Sequence, residues 1–165
     1  MKPSDALIDF LKGWEELRLA AYDDGGGVWT IGYGHTAGVK PGDTCTEAQA
    51  DKWLVDDASE AAFIVDENVV PALTQNEADG LAAFVMNVGR GRPAKDGDPG
   101  RDGFVVLRSG RPSTMLRRLN EGNFYAAAEE FPKWNRQGNR VLAGLTKRRN
   151  AERAIFESAD YRGRP

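Results

Sequence analysis

Glu15 and Glu16 close an apolar helical pattern, Asp23 and Asp24 precede three glycines, and Glu15 and Asp24 stand nine positions apart. Carboxyl groups behave differently in such different surroundings. At the end of an apolar helix, partial burial disfavours the charged form and keeps a carboxyl protonated, whereas in a polar glycine-rich turn it stays ionised. That division suits cleavage of a glycosidic bond, in which one carboxyl protonates the leaving oxygen and another activates water or stabilises the cationic transition state. Spacing alone is weak ground, because the chain carries 25 Asp and Glu and most such pairs are solvated surface groups.

Other side chains near this pair could take part. Thr30 lies in the β-branched and aromatic stretch Val28 to Gly34, and His35, the only histidine, follows Gly32-Tyr33-Gly34. His35 could orient a carboxylate or touch substrate; a structural hydrogen bond that fixes the turn is the stronger reading. Arg148 or Arg149, on the last predicted helix, could fold back to pair with Glu15 or lie on a solvated basic face. Asn87 either lines a cleft or caps a helix end. With one cysteine, Cys45, and one histidine, a metal site of those types is not expected. Asp96 to Asp102 has incomplete calcium-loop spacing and no terminal glutamate, so neither metal nor cofactor is expected.

The elements that must position these residues read as follows. Ser4 is a good N-cap for a helix carrying Leu7, Phe10, Leu11, Trp14 and Leu17, predicted to end near Arg18 to Ala21. Tyr22 to Gly34 reads as a hairpin or small sheet. Thr46-Glu47-Ala48-Gln49 has capping-box spacing and opens a long helix towards Pro71; Thr74-Gln75-Asn76-Glu77 repeats it. Further helices are predicted over 113–120, 123–131 and 145–158. Between them, Gly89 to Pro112 carries six glycines and three prolines around the apolar run Phe104 to Leu107, a long loop with room for a short strand. The order predicts an α+β fold, mostly helical, with a small N-terminal β-hairpin lobe over about 15–60. A long helix joins it to a helical lobe over about 72–158 that includes the N-terminal helix, leaving a cleft for an extended substrate.

Composition narrows the class. The 165 residues, 41% hydrophobic and 28% charged, suit one soluble domain with a core of its own. A single cysteine excludes an intramolecular disulfide. No run of about 18 apolar residues occurs, and Met1 to Ala6 lacks the apolar core of a signal peptide, so neither membrane spanning nor self-export is expected. The net charge of −3 hides a division: five Lys and Arg against sixteen Asp and Glu up to Gly89, then seventeen against nine. A basic half can hold a polyanion, or the halves can attract each other. No nucleic-acid motif accompanies it, and no nucleic-acid partner is expected.

The stretch Trp14-Glu15-Glu16-Leu17-Arg18-Leu19-Ala20-Ala21-Tyr22-Asp23-Asp24, followed by Val28-Trp29-Thr30-Ile31-Gly32-Tyr33-Gly34-His35-Thr36, resembles the signature of phage-type lysozymes, glycoside hydrolase family 24. Further blocks match in order: Phe84 to Gly89, Met115 to Asn120, Phe131 to Trp134 and Gly144 to Arg149. The resemblance covers roughly residues 4 to 157. It implies a single lysozyme-like domain over 1–165. Glu15 would be the general acid, Asp24 the second carboxylate and Thr30 the hydroxyl that positions water, with His35, Asn87 and Arg148 as supporting or substrate-binding residues. Members of this kind cut the β-1,4 bond between N-acetylmuramic acid and N-acetylglucosamine, and inversion would place the carboxyl groups about 6.5 to 9.5 Å apart.

One position departs from the family, which usually has glycine where this chain has Glu16. Arg18, Leu19 and Tyr22 keep Glu15 in register, and Glu16 would point about 100° away around a helix. The implied partner is bacterial peptidoglycan, met after holin-dependent release from the host cytoplasm, by a monomer with no stable membrane association. The loop cations Arg90, Arg92, Lys95, Arg101, Arg108 and Arg111 would then touch the wall or line a solvated insertion. A lytic transglycosylase and a non-catalytic wall-binding protein are the alternatives. The first leaves 1,6-anhydro ends; the second binds without solubilising.

Overall fold

The computed structural model describes residues 1–23, 25 and 27–158. It divides into two compact units, one of Pro3–Glu60 and one of Met1–Lys2 with the residues from Ala61 on. In the first, α1 (Asp5–Trp14) starts where the Ser4 hydroxyl accepts the Leu7 N–H at 3.1 Å, and it buries Leu7 and Leu11. α1 stops at Trp14, short of the Arg18 to Ala21 end that the apolar spacing predicts. Leu17 extends the helical period, but Arg18–Asp23 forms β1 instead, antiparallel to β2 (Trp29–Gly32). The other edge of β1 is occupied too: Ala21 N–H donates to the Asp43 carbonyl and Cys45 N–H to that of Leu19, both at 2.9 Å. Backbone pairing on two sides outweighs a helical period already weakened by Gly13.

The long helix α2 (Glu47–Asn68) begins at a reciprocal cap, with Gln49 N–H donating to the Thr46 hydroxyl at 3.2 Å and Thr46 N–H to the Gln49 side chain at 2.8 Å. It joins the β-containing unit to the helical one, as the order of elements predicts. None of the described helices is long and apolar enough to cross a membrane.

The helical unit is built on α3 (Gln75–Val88), which starts at a second capping box between Thr74 and Glu77. Around it come α4 (Thr114–Asn120), α5 (Phe124–Ala128), a 3-10 turn (Phe131–Lys133) and α6 (Ala143–Glu157). Phe84 is fully buried, with Phe131 at 5.3 Å, Trp134 at 5.5 Å and Phe104 at 6.3 Å, all close to edge-on. Edge-to-face rings of this kind add to what burial of their area supplies. The stretch Arg136 to Val141, with no strand signal in the sequence, forms a hairpin of β3 (Arg136–Gln137) and β4 (Arg140–Val141).

The segment between α3 and α4 forms no regular strand, yet it is pinned. Phe104 anchors it in the core, its N–H donates to the Gly89 carbonyl at 2.9 Å, and Arg92 and Arg101 exchange backbone hydrogen bonds at 2.7 and 2.8 Å. Its glycines allow this: a Cβ at Gly91 would stand 2.0 Å from the Val106 carbonyl oxygen.

Candidate active site

Glu15 caps the C-terminus of α1. Its backbone is already extended, at φ −106° and ψ 136°, while its N–H still donates to the Leu11 carbonyl at 3.1 Å. The end of α1 is held in place by Lys12, whose Nζ is 2.6 Å from Asp51 Oδ1 and 5.5 Å from the centre of the Tyr33 ring. Asp51 holds the Lys12 ammonium above its ordinary pKa. The Glu15 side chain is half-buried beside the Gly-Tyr-Gly turn, where a Cβ at Gly34 would lie 3.8 Å from Oε2. Gly34 has φ 96°, so a side chain there would be strained as well as close to the carboxylate.

Glu16 has a different environment. It is exposed, and its Oε2 accepts from Arg18 Nη2 at 2.7 Å and from Nε at 3.1 Å. Asp24 lies outside the described residues, and with it the expected separation of the two carboxyl groups. Its neighbour Asp23 anchors the turn, Oδ1 accepting from the N–H groups of Gly25 at 2.9 Å and Gly27 at 3.0 Å. Thr30 is buried in β2 opposite Tyr22, and its hydroxyl donates to the Val28 carbonyl at 3.3 Å.

His35 is clamped. Its ring stacks on Trp53 at 4.9 Å and 9°, Nδ1 lies 2.9 Å from Asp57 Oδ2, and Nε2 lies 3.1 Å from the Ala37 carbonyl. These three contacts hold the turn after Gly34 against α2. Asp57, 22 positions away, has no local signal in the sequence that marks it as the partner.

Asn87 and Arg148 belong to the helical unit. Asn87 sits in the last turn of α3, where its Oδ1 accepts from Arg149 Nη2 at 2.9 Å. Arg148 Nε and Arg149 Nη2 both donate to Glu152 Oε1, at 3.1 and 2.7 Å. Arg149 is fully buried, its guanidinium 5.1 Å from the centre of the Phe84 ring. Sequence reasoning missed Glu152, although its spacing of four and three from the two arginines places all three on one helix face. Burial pushes the Glu152 carboxyl up, against both guanidinium groups, and pushes the Arg149 guanidinium down. No three His, Cys, Asp or Glu side chains cluster as metal ligands among the described residues.

A small hairpin, a long joining helix and a helical unit make a lysozyme-like α+β fold. The chain belongs to the phage lysozyme family, whose sequence model matches residues 12–152, and it is a muramidase of the endolysin kind. It is 36% identical over 163 residues to an endolysin of Acyrthosiphon pisum secondary endosymbiont phage 1, covering 96% of this chain and 100% of that one. It is 40% identical over 159 residues to an endolysin of Bacillus phage B103; there it covers 94% of itself but spans only 54% of that relative. Among solved structures, the muramidase domain of SpmX from Asticaccaulis excentricus superposes with a TM-score of 0.75 at 32% identity, covering 94% of this chain and 97% of that one. Other relatives are SAR-endolysins, that of bacteriophage PS119 among them.

Proposed function

We propose that this chain hydrolyses the β-1,4 bond between N-acetylmuramic acid and N-acetylglucosamine in bacterial peptidoglycan, with Glu15 as general acid. The Glu15 carboxyl protonates the leaving glycosidic oxygen while Asp24 takes a proton from the attacking water, and Thr30 helps to hold that water. The observation that carries the assignment is the contrast between neighbouring glutamates. Glu15 is half-buried against the Gly34 turn, whereas Glu16 is exposed and tied to Arg18. His35, Asn87 and Arg148 act through position: His35 holds the turn beside Glu15, and the other two belong to the polar cluster of α3 and α6.

The cell wall is the place of action. Release from the host cytoplasm through a holin, and action as a monomer without nucleic acid or stable membrane association, complete the proposal. Relatives of both the endolysin and SAR-endolysin kinds make the release route a question for host lysis with and without a holin. The reaction is tested by clearing of purified peptidoglycan with wild type, Glu15→Gln and Glu16→Gln, and identification of the ends released. Reducing muramic ends and loss of clearing in Glu15→Gln alone support it. Anhydro ends would make the enzyme a transglycosylase, and a dead Glu16→Gln would move the acid by one residue.

A further inference from the structure

The helical unit contains a cavity of about 610 Å³ whose lining is strongly cationic: Arg101, Arg108, Lys133, Arg136 and Arg149 face a single acid, Asp102. Three of the cations have carboxylate partners nearby. Arg108 pairs with Asp102 at 3.1 Å, Lys133 with Glu130 at 2.6 Å and Arg149 with Glu152 at 2.7 Å. Arg101 and Arg136, both exposed, have none among the described residues; Arg136 Nη1 donates only to the Asn139 carbonyl, at 3.2 Å. Fully buried Arg149, bonded to Asn87, and half-buried Trp134 also line it, with Val88, Leu142 and Leu145 as its apolar wall. Like charges gathered around a concavity repel one another unless an anion joins them. The segment carrying Arg101 and Arg108 is pinned through Phe104, so both are presented by a fixed backbone.

A single carboxylate would occupy one guanidinium fork. Several cations spread around one cavity fit a chain of repeated anions better, and guanidinium forks match phosphate oxygens in bidentate geometry. We propose that this cavity holds consecutive phosphate groups of a phosphodiester-linked wall polymer, gripped by Arg101 and Arg136, with its polyol links against Trp134. The inference rests on the muramidase reading only in placing the protein at a bacterial wall.

The test is titration of the full chain with poly(glycerol phosphate) and, separately, with polyglutamate, between 50 and 200 mM salt. Wild type is compared with Arg101→Ala/Arg136→Ala and with Arg117→Ala, which removes an exposed cation of α4 outside the cavity; melting curves verify that each variant is folded. The expected result is binding of the polyphosphate that weakens with salt and drops tenfold or more in the double variant, with Arg117→Ala like wild type. The proposal is overturned if wild type does not bind, if the double variant binds equally well, if Arg117→Ala weakens binding as much, or if polyglutamate binds as tightly. Clearing by wild type of peptidoglycan stripped of phosphodiester polymers is scored separately. Its failure would count against the muramidase reading and leave the binding result to stand alone.

Discussion

At the scale of single residues, two neighbouring glutamates make opposite predictions. Glu15→Gln keeps the shape of a group that lies beside the Gly34 turn and removes its capacity to donate a proton, so clearing should fall on the order of 10³-fold with the melting temperature held. Glu16→Gln breaks only an exposed, solvent-screened pair with Arg18 and should clear at nearly the wild-type rate. Rates per folded molecule separate the two. His35→Gln loses the Trp53 stack and weakens the contact with Asp57, and a cost of about 1–3 kcal/mol is expected in denaturant unfolding. Its clearing at temperatures well below the melt should stay within about tenfold of wild type; a collapse like that of Glu15→Gln would make His35 part of the chemistry. Glu15, Thr30 and His35 stand out in the sequence because one motif spans them. Asp57 and Glu152 carry no such mark. Asp57 meets His35 only through the fold, and Glu152 has the spacing of an ordinary surface glutamate until α6 packs against α3.

At the scale of elements, caps and apolar periodicity carry most of the information. Thr46 and Thr74 cap helices where their spacing places them, and Ser113 caps α4. The end of α1 is misread because its helical period runs on into residues that find backbone partners in β2 and in the segment after Val39. The β3–β4 hairpin is missed because Arg136-Gln137-Gly138-Asn139-Arg140-Val141 has neither alternation nor β-branched enrichment. A close contact between α3 and α6 is also sequence-silent. Gly80 of α3 lies so near α6 that an added Cβ would stand 2.8 Å from both Cβ and N of Phe156 and 3.0 Å from the Glu152 carbonyl oxygen. In an exposed helix, Gly→Ala gains up to about 1 kcal/mol. Here overpacking against backbone costs about 1–3 kcal/mol and should prevail, so Gly80→Ala is expected to lower the melting temperature. A higher one would mean that α6 can retreat from α3 at little cost.

For the whole molecule, the order of elements makes the fold class legible, and the charge division at Gly89 is plain. Where the basic half finds its counter-charges is not. Arg90 reaches Glu67 at 3.2 Å, Arg153 reaches Glu129 at 2.5 Å, and Arg148 and Arg149 converge on Glu152. This last cluster links charge to global stability. Glu152 is fully buried and its Oε2 has no hydrogen-bond partner among the described residues, so desolvation prevails over the two guanidinium groups and its folded pKa is raised. A carboxyl with a raised folded value contributes stability that is fully present below its unfolded value, about 4.3, and lost as pH rises through the folded value. Glu152→Gln removes that titration while keeping an acceptor for both arginines. The unfolding free energy of wild type minus that of Glu152→Gln should therefore fall as pH rises from about 4 and level off once the folded value is passed. At neutral pH wild type should hold no advantage, in keeping with the small net worth of buried ion pairs. Denaturant unfolding followed by tryptophan fluorescence between pH 4 and 8 measures the difference directly. A wild type that instead gains on the variant as pH rises would show that Arg148 and Arg149 outweigh desolvation and hold Glu152 below the ordinary carboxylate value.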